Sequence, residues 1–224
     1  MASKLFKCVI LGAPGSGKGT ISSRIVKNFN LEHISSGDKL RLNIKNNTEL
    51  GIQAKKYISQ GELVPDSIMV RFILNEIQKL NHRSWLLDGF PRTVAQAKEL
   101  WGSHKLNLVI NLNVPFEVII ERVKGRWLHL PSGRVYNIDF NAPKVPGKDD
   151  ITGEPLVQRE DDKPEVVMKR LQNYDKITKP MVDFYKEVGI FHDFKGNTSD
   201  EIWPKVLDCL KTNCPSETAT AQSI

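Results

Sequence analysis

Cysteine is scarce in this chain of 224 residues: Cys8, Cys209 and Cys214 are an odd number, and no two form a C-x-x-C pair. That excludes a disulfide framework and a cysteine-built zinc site, and it places the chain in a reducing compartment. Long apolar runs are missing as well. None approaches the roughly 18 residues that a membrane-spanning helix requires, so no membrane span is expected. The N-terminus lacks the apolar segment of about 7 to 15 residues that marks a secretory signal. Acidic residues are absent before Glu32, whereas Lys4, Lys7, Lys18, Arg24 and Lys27 precede it. This pattern is compatible with an import signal, although Lys18 has other work.

What is present describes an ordinary globular chain, 40% apolar and 26% charged, long enough to bury a full core. Thirty-two Lys and Arg against 26 Asp and Glu leave a formal charge of +6. An excess of this sign points to anionic partners: nucleic acid, a lipid surface or phosphorylated small molecules. Aromatic platforms and a basic helix run, which a nucleic-acid module would use, are lacking.

Short apolar runs alternate with amphipathic segments of helical length. Cys8 to Leu11, Trp85 to Leu87 and Leu108 to Leu112 read as buried strands, each followed by a turn and a helix-length stretch. That rhythm predicts a parallel sheet covered by helices on both faces. Asp66 is expected to cap a helix over 67–79. Val167, Leu171, Tyr174, Met181, Phe184 and Val188 predict one long helix kinked at Pro180. From Gly125 to Asp162 the rhythm gives way to a Pro- and Gly-rich stretch with short alternating pieces, read as a β-rich insertion. A second excursion runs from Ser35 to Val64, and the polar tail from Pro215 is expected to fray.

The strongest motif is Gly12-Ala13-Pro14-Gly15-Ser16-Gly17-Lys18-Gly19-Thr20, directly after the first strand and before an amphipathic stretch. It is a phosphate-binding loop in the strand–loop–helix context the chemistry requires. Glycines let backbone N–H groups turn inward, the helix N-terminus adds partial positive charge, and Lys18 reaches the outer phosphates. The Thr20 hydroxyl can orient a phosphate-bound magnesium ion. Asp88, at the end of a buried strand, is placed to hold that ion's water.

The Gly-Lys-Gly-Thr form, together with Leu86-Leu87-Asp88-Gly89-Phe90-Pro91-Arg92-Thr93, resembles the adenylate kinase family over nearly the whole chain. The resemblance implies an α/β fold: a P-loop NTPase-type parallel sheet flanked by helices, with a helical AMP-binding insert and a small β-rich lid. Residues 1–34, 65–124 and 163–224 would form the core, 35–64 the AMP-binding insert and 125–162 the lid. On this resemblance Gly15, Gly17, Lys18, Gly19, Thr20, Arg122, Arg126, Tyr136, Asn137 and Ser199 meet the donor nucleotide. Ser36, Arg41, Glu62, Leu63, Val64, Gly89, Arg92, Gln96, Arg159 and Arg170 meet AMP. The glutamine amide suits adenine because it offers one donor and one acceptor side by side. Lys18, Asp88, Arg92, Arg126, Arg159 and Arg170 would carry catalysis, with Asp161 and Asp162 orienting lid arginines.

The implied reaction moves the γ-phosphoryl of a magnesium-bound nucleoside triphosphate to AMP. The stretches around Arg134 to Asn141, Asn111 to Val118 and Ile202 to Pro204 are most similar to the mitochondrial matrix branch that takes GTP or ITP. Met1 to Leu5 resembles a sister branch with feeble transfer and a regulatory role. The loop grips only phosphates, so ATP stays open as donor. The family is usually monomeric. In the lid, His129, Ser132, Asp149 and Thr152 occupy the register in which some relatives carry zinc ligands. Hydroxyls are poor zinc ligands, so a hydrogen-bonded polar cluster without zinc is expected.

Overall fold

The computed structural model describes residues 5–80, 82–138 and 141–214. Residues 1–4, which carry most of the sister-branch resemblance, and the tail expected to fray lie outside the described residues. Five strands form a wholly parallel sheet: β1 (Lys7–Gly12), β2 (Glu32–Ser35), β3 (Trp85–Asp88), β4 (Leu108–Asn113) and the last strand of the chain (Phe191–Lys195). Their order is β2, β3, β1, β4, then that last strand. The two edge strands were not foreseen. Each is half-polar and has one ladder neighbour, so neither shows the continuous apolar run of a strand buried on both faces.

Alternation along β1 sends Cys8 and Ile10 to one face and Val9 and Leu11 to the other, and each pair joins a different buried cluster. The first cluster includes Ile21 and Ile25 of α1 (Lys18–Asn28) and Ile202, Val206 and Leu210 of the C-terminal helix (Ser199–Asn213). The second includes Met69, Ile73 and Ile77 of the helix Asp66–Gln78 and Ala97 and Leu100 of Val94–Ser103. Between β2 and that pair of helices, the segment 35–64 holds α2 (Ser36–Lys45) and α3 (Glu49–Ser59). In chain order the next two helices are α4 (Asp66–Gln78) and α5 (Val94–Ser103), followed by α6 (Phe116–Lys124). The segment 125–162 contains an antiparallel pair, β5 (Arg126–Leu128) and β6 (Val135–Asn137). The edge strand Phe191–Lys195 is thus β7.

Two local expectations are corrected. Asp66 is the first residue of α4, not its cap, and its carboxylate turns away toward α5. The long helix kinked at Pro180 is two helices, α7 (Pro164–Asn173) and α8 (Pro180–Glu187), joined by a π turn over Tyr174–Thr178. Pro180 has no N–H to donate. The turn just before it widens instead, with Lys179 N–H donating to Tyr174 O five residues back at 2.9 Å. The C-terminal helix Ser199–Asn213 is α9.

Candidate active site

Strand order reverses beside β1, where the chain leaves for β2 on one side and later crosses to β4 on the other. Open parallel sheets bind ligands at the strand ends of such a switch point. There, Ile10 of β1 stands in register with Asp88 of β3, so the loop after β1 and the carboxylate ending β3 share one mouth. Gly17 turns the chain into α1 with φ +90°, and a Cβ there would lie 2.7 Å from the Ser199 hydroxyl oxygen. Only glycine meets both demands. Lys18, the first residue of α1, folds back over the loop, its ammonium donating to Gly12 O at 2.8 Å and Ala13 O at 2.9 Å.

The residues assigned from the sequence to the donor, to AMP and to catalysis all line one cleft of about 640 Å³, whereas Asp162 and the lid cluster of His129, Ser132, Asp149 and Thr152 are not part of its lining. Its size falls in the range of small-molecule sites. At its centre is a group of cations. Arg92 donates from Nε to Gly89 O at 2.8 Å, which fixes its direction. Arg126 pairs with both oxygens of Asp162, the Nε contact being 2.8 Å. Arg170 donates to the Asp161 carboxylate at 2.7 Å and to its carbonyl at 3.0 Å. Arg122 donates to Asn197 O, and Arg41 pairs with Asp38.

Burial in this company penalises positive charge. The Lys18 ammonium is pushed down to about 8 by burial, with Arg92 and Arg170 acting in the same direction and Asp88 against it. Arg92 and Arg159 both fall to about 10, chiefly through burial and then through neighbouring arginines. Burial works against the charge of Asp161 too, but Arg170 and Arg159 outweigh it and hold the carboxyl below its usual range. The cleft therefore concentrates cations that a polyphosphate would stabilise. Two buried polar atoms of its wall, Ser36 Oγ and Arg159 Nε, have no partner among the described residues. Such atoms are costly unless a ligand or water meets them.

Asp88 is buried and, among the described residues, has only a 3.5 Å contact from Ser22 Oγ and His33 Nε2 at 3.8 Å. It keeps acceptor capacity facing the loop, which fits an ion-bound water. Ser22 and His33 were not foreseen, because a serine within a helix and a histidine in a polar edge strand carry no motif. Asp66 was foreseen as a cap and not as a partner of Gln96.

These features match a known design. The adenylate kinase family pattern matches residues 10–190. The chain belongs to the adenylate kinase family. It is 57% identical over 204 residues to the mitochondrial GTP:AMP phosphotransferase of Drosophila melanogaster, covering 91% of this chain and 94% of that one. It is 51% identical over 217 residues to the mitochondrial GTP:AMP phosphotransferase of Saccharomyces cerevisiae, covering 92% and 93%. Among the described residues, no helix is long and apolar enough to cross a membrane.

In this member of the family the segment 125–162 is built around one carboxylate. Asp149 accepts from Arg134 Nε at 2.8 Å and Nη2 at 2.6 Å, from Tyr136 OH at 2.9 Å and from Thr152 N–H at 2.9 Å. His129, nearly fully buried, meets Ser132 Oγ at 2.7 Å and Glu154 Oε2 at 2.5 Å. The four residues in the ligand register are thus joined by hydrogen bonds. Tyr136 lines the cleft by its ring while its hydroxyl belongs to this lid network. Asn137 likewise donates to Arg122 O at 2.7 Å, tying β6 to α6.

Proposed function

We propose that this chain catalyses reversible transfer of the γ-phosphoryl of magnesium-bound GTP or ITP to AMP, giving GDP and ADP, as a monomer in the mitochondrial matrix. The observation that carries the reading is the ring of Lys18, Arg92, Arg126, Arg159 and Arg170 around one cleft entered from the phosphate loop and from α2. The names of the relatives support GTP as donor and a mitochondrial location.

Transfer between two phosphate groups needs no strong general base, because the acceptor oxygen is already anionic. Catalysis then rests on alignment and on charge. Backbone N–H groups of 15–20 and Lys18 take the β and γ oxygens of the donor. Arg126 and Arg122 meet it from the lid side, with Tyr136, Asn137 and Ser199 toward the base. Ser36, Arg41, Gly89 and Arg92 hold the AMP phosphate, the backbone of 62–64 lies along AMP, and Gln96 reads its base. Arg159 and Arg170 bridge the two nucleotides, neutralising the equatorial oxygens of the moving group. Asp88, through water, and Thr20 are the residues that would hold a nucleotide-borne magnesium ion, which would supply further neutralisation of the phosphate charge. Residues 35–64 and 125–162 close on a core made of the remaining segments, excluding water as a competing acceptor.

Initial velocities with AMP against GTP, ITP and ATP in turn test activity and donor together. GTP is expected to give the highest kcat/KM. Preference for ATP would replace the donor, and background turnover with intact nucleotide binding would favour the regulatory role.

A further inference from the structure

We propose that Asp66 determines which purine the acceptor site takes, by fixing the direction in which the Gln96 amide faces. The proposal rests on the reading that Gln96 meets the acceptor base. Gln96 sits in the first turn of α5 and is only 2% exposed. Its Nε2 donates to Asp66 Oδ1 at 2.7 Å, and its Oε1 accepts from Arg92 N–H at 2.8 Å. In most sites the two ends of an amide are assigned only by weighing alternatives. Here chemistry compels one answer, since a carboxylate only accepts and a backbone N–H only donates. Turning the amide over would set oxygen against oxygen and N–H against N–H, and both contacts of the buried Gln96 amide would be lost.

The carboxylate is itself held. Its other oxygen accepts from Thr93 Oγ1 at 2.8 Å, and the same hydroxyl oxygen accepts from Gln96 N–H at 3.1 Å, capping α5. Both oxygens of Asp66, at the start of α4, are thereby fastened to one turn of α5. Gln96 is left with one N–H and one lone pair, in a fixed order. Adenine presents a donor at its six-amino group and an acceptor at N1, which match that order. A 6-oxopurine reverses both, with an acceptor at the six position and a donor at N1. A glutamine free to turn would read either base, whereas one locked by Asp66 reads adenine. The sequence hides this role because an aspartate after proline at a helix start already has an ordinary use as a cap.

The test compares kcat/KM for AMP and for inosine monophosphate in Asp66→Asn and Gln96→Ala. An amide at 66 is nearly isosteric but can donate as well as accept, so the Asp66 half of the lock is lost and only the Arg92 N–H still favours the native direction of the Gln96 amide. Asp66→Asn is expected to narrow the AMP-over-inosine ratio about tenfold, mostly through better use of inosine monophosphate, with KM for the donor unchanged. Gln96→Ala is expected to lower AMP efficiency and abolish most of the ratio. Equal losses with both monophosphates in Asp66→Asn would make Asp66 merely structural and overturn the lock while Gln96 keeps its place. A ratio untouched by Gln96→Ala would overturn the placement of Gln96 and the lock with it. A measurement on the unaltered protein stands should Asp66→Asn not fold. One Gln96 side-chain amide proton should be shifted downfield and protected from exchange in nitrogen-resolved NMR. Two rapidly exchanging, averaged resonances would overturn the proposal.

Discussion

The loop after β1 and the segment 125–162 proposed as a lid face the same cleft and, in the proposed reaction, would serve the same anions, but they are made of different materials. The loop is backbone: glycines with positive φ at Gly12, Gly15 and Gly17 aim amides, and Lys18 is pinned by two loop carbonyls. The lid works through side chains. Asp162 aims its Arg126, Asp161 reaches across to aim Arg170 of α7, and the lid's own shape hangs on Asp149. A backbone cradle cannot be lost by one substitution outside its glycines. A side-chain lid can be, since each aiming contact is a single carboxylate.

The largest effect is expected at the loop. Lys18→Met should lower kcat by about a thousandfold, because a charge that follows the transferring phosphoryl has no substitute. Its melting transition should stay in place, as the change removes a buried cation and only two carbonyl contacts. A coupled assay with a thermal melt checks both, and near-normal turnover would remove Lys18 from the chemistry.

Next comes the lid hinge. Arg126→Ala is expected to cost about a hundredfold in kcat, and Arg126→Lys most of that, because an ammonium cannot reproduce the paired contact with Asp162. If Arg126→Ala matched Lys18→Met in cost, lid and loop would be equal partners in the transition state. If it changed only KM for the donor, the lid would merely cover the site.

A smaller effect should separate the two regions. Asp149 is held well below the usual carboxylate range, first by Arg134, against the effect of desolvation, and then by the Thr152 backbone and Tyr136. A depressed carboxyl contributes stability that is fully present above its unfolded value near 4 and is lost progressively as pH falls from there toward the lower folded one. Lid amides should therefore keep their protection from exchange down to about pH 4 and begin to lose it below that value. Asp149→Ala should expose amides over 126–157 while those of the loop keep their protection, and reduce kcat roughly tenfold by loosening closure. A chelator should leave both patterns as they are; loss of lid protection would mean that zinc holds it.

The same difference in material explains what the sequence could reveal. A cradle of glycines and a lysine is contiguous, so Gly12 to Thr20 could be read directly, and continuous apolar runs announced β1, β3 and β4. The lid arginines were legible only through resemblance, because an arginine in a surface stretch carries no sign of the carboxylate that aims it. Asp66 shows the limit most clearly. Its place after Pro65 satisfied a local rule, while its partners Thr93 and Gln96 lie 27 and 30 residues away on another helix. The π turn at Tyr174–Thr178 was hidden for a related reason: Pro180 announces an interruption but not whether the chain bends or widens to absorb it.

The smallest expected effect is a proton. Lys18 titrates near 8 within the cleft against 10.5 in its ordinary state, so between those values the unfolded chain holds a proton that the folded one has released. Stability should consequently rise with pH across that window as this group's penalty disappears. Triphosphate oxygens set around the ammonium would restore its proton. Binding of a non-hydrolysable triphosphate near pH 9 should then take up close to one proton, roughly, and near pH 7 none from this group. The nucleotide's own last ionisation lies near 6, too low to contribute at pH 9. Calorimetry in two buffers of different ionisation heat measures the uptake directly. Lys18→Met should abolish it and Arg126→Ala should leave it, because the lid arginines remain charged at pH 9 with or without phosphate. Uptake that survived in Lys18→Met would place the titrating group elsewhere in the cleft and blur the division between a loop that responds to phosphate by protonation and a lid that responds by closing.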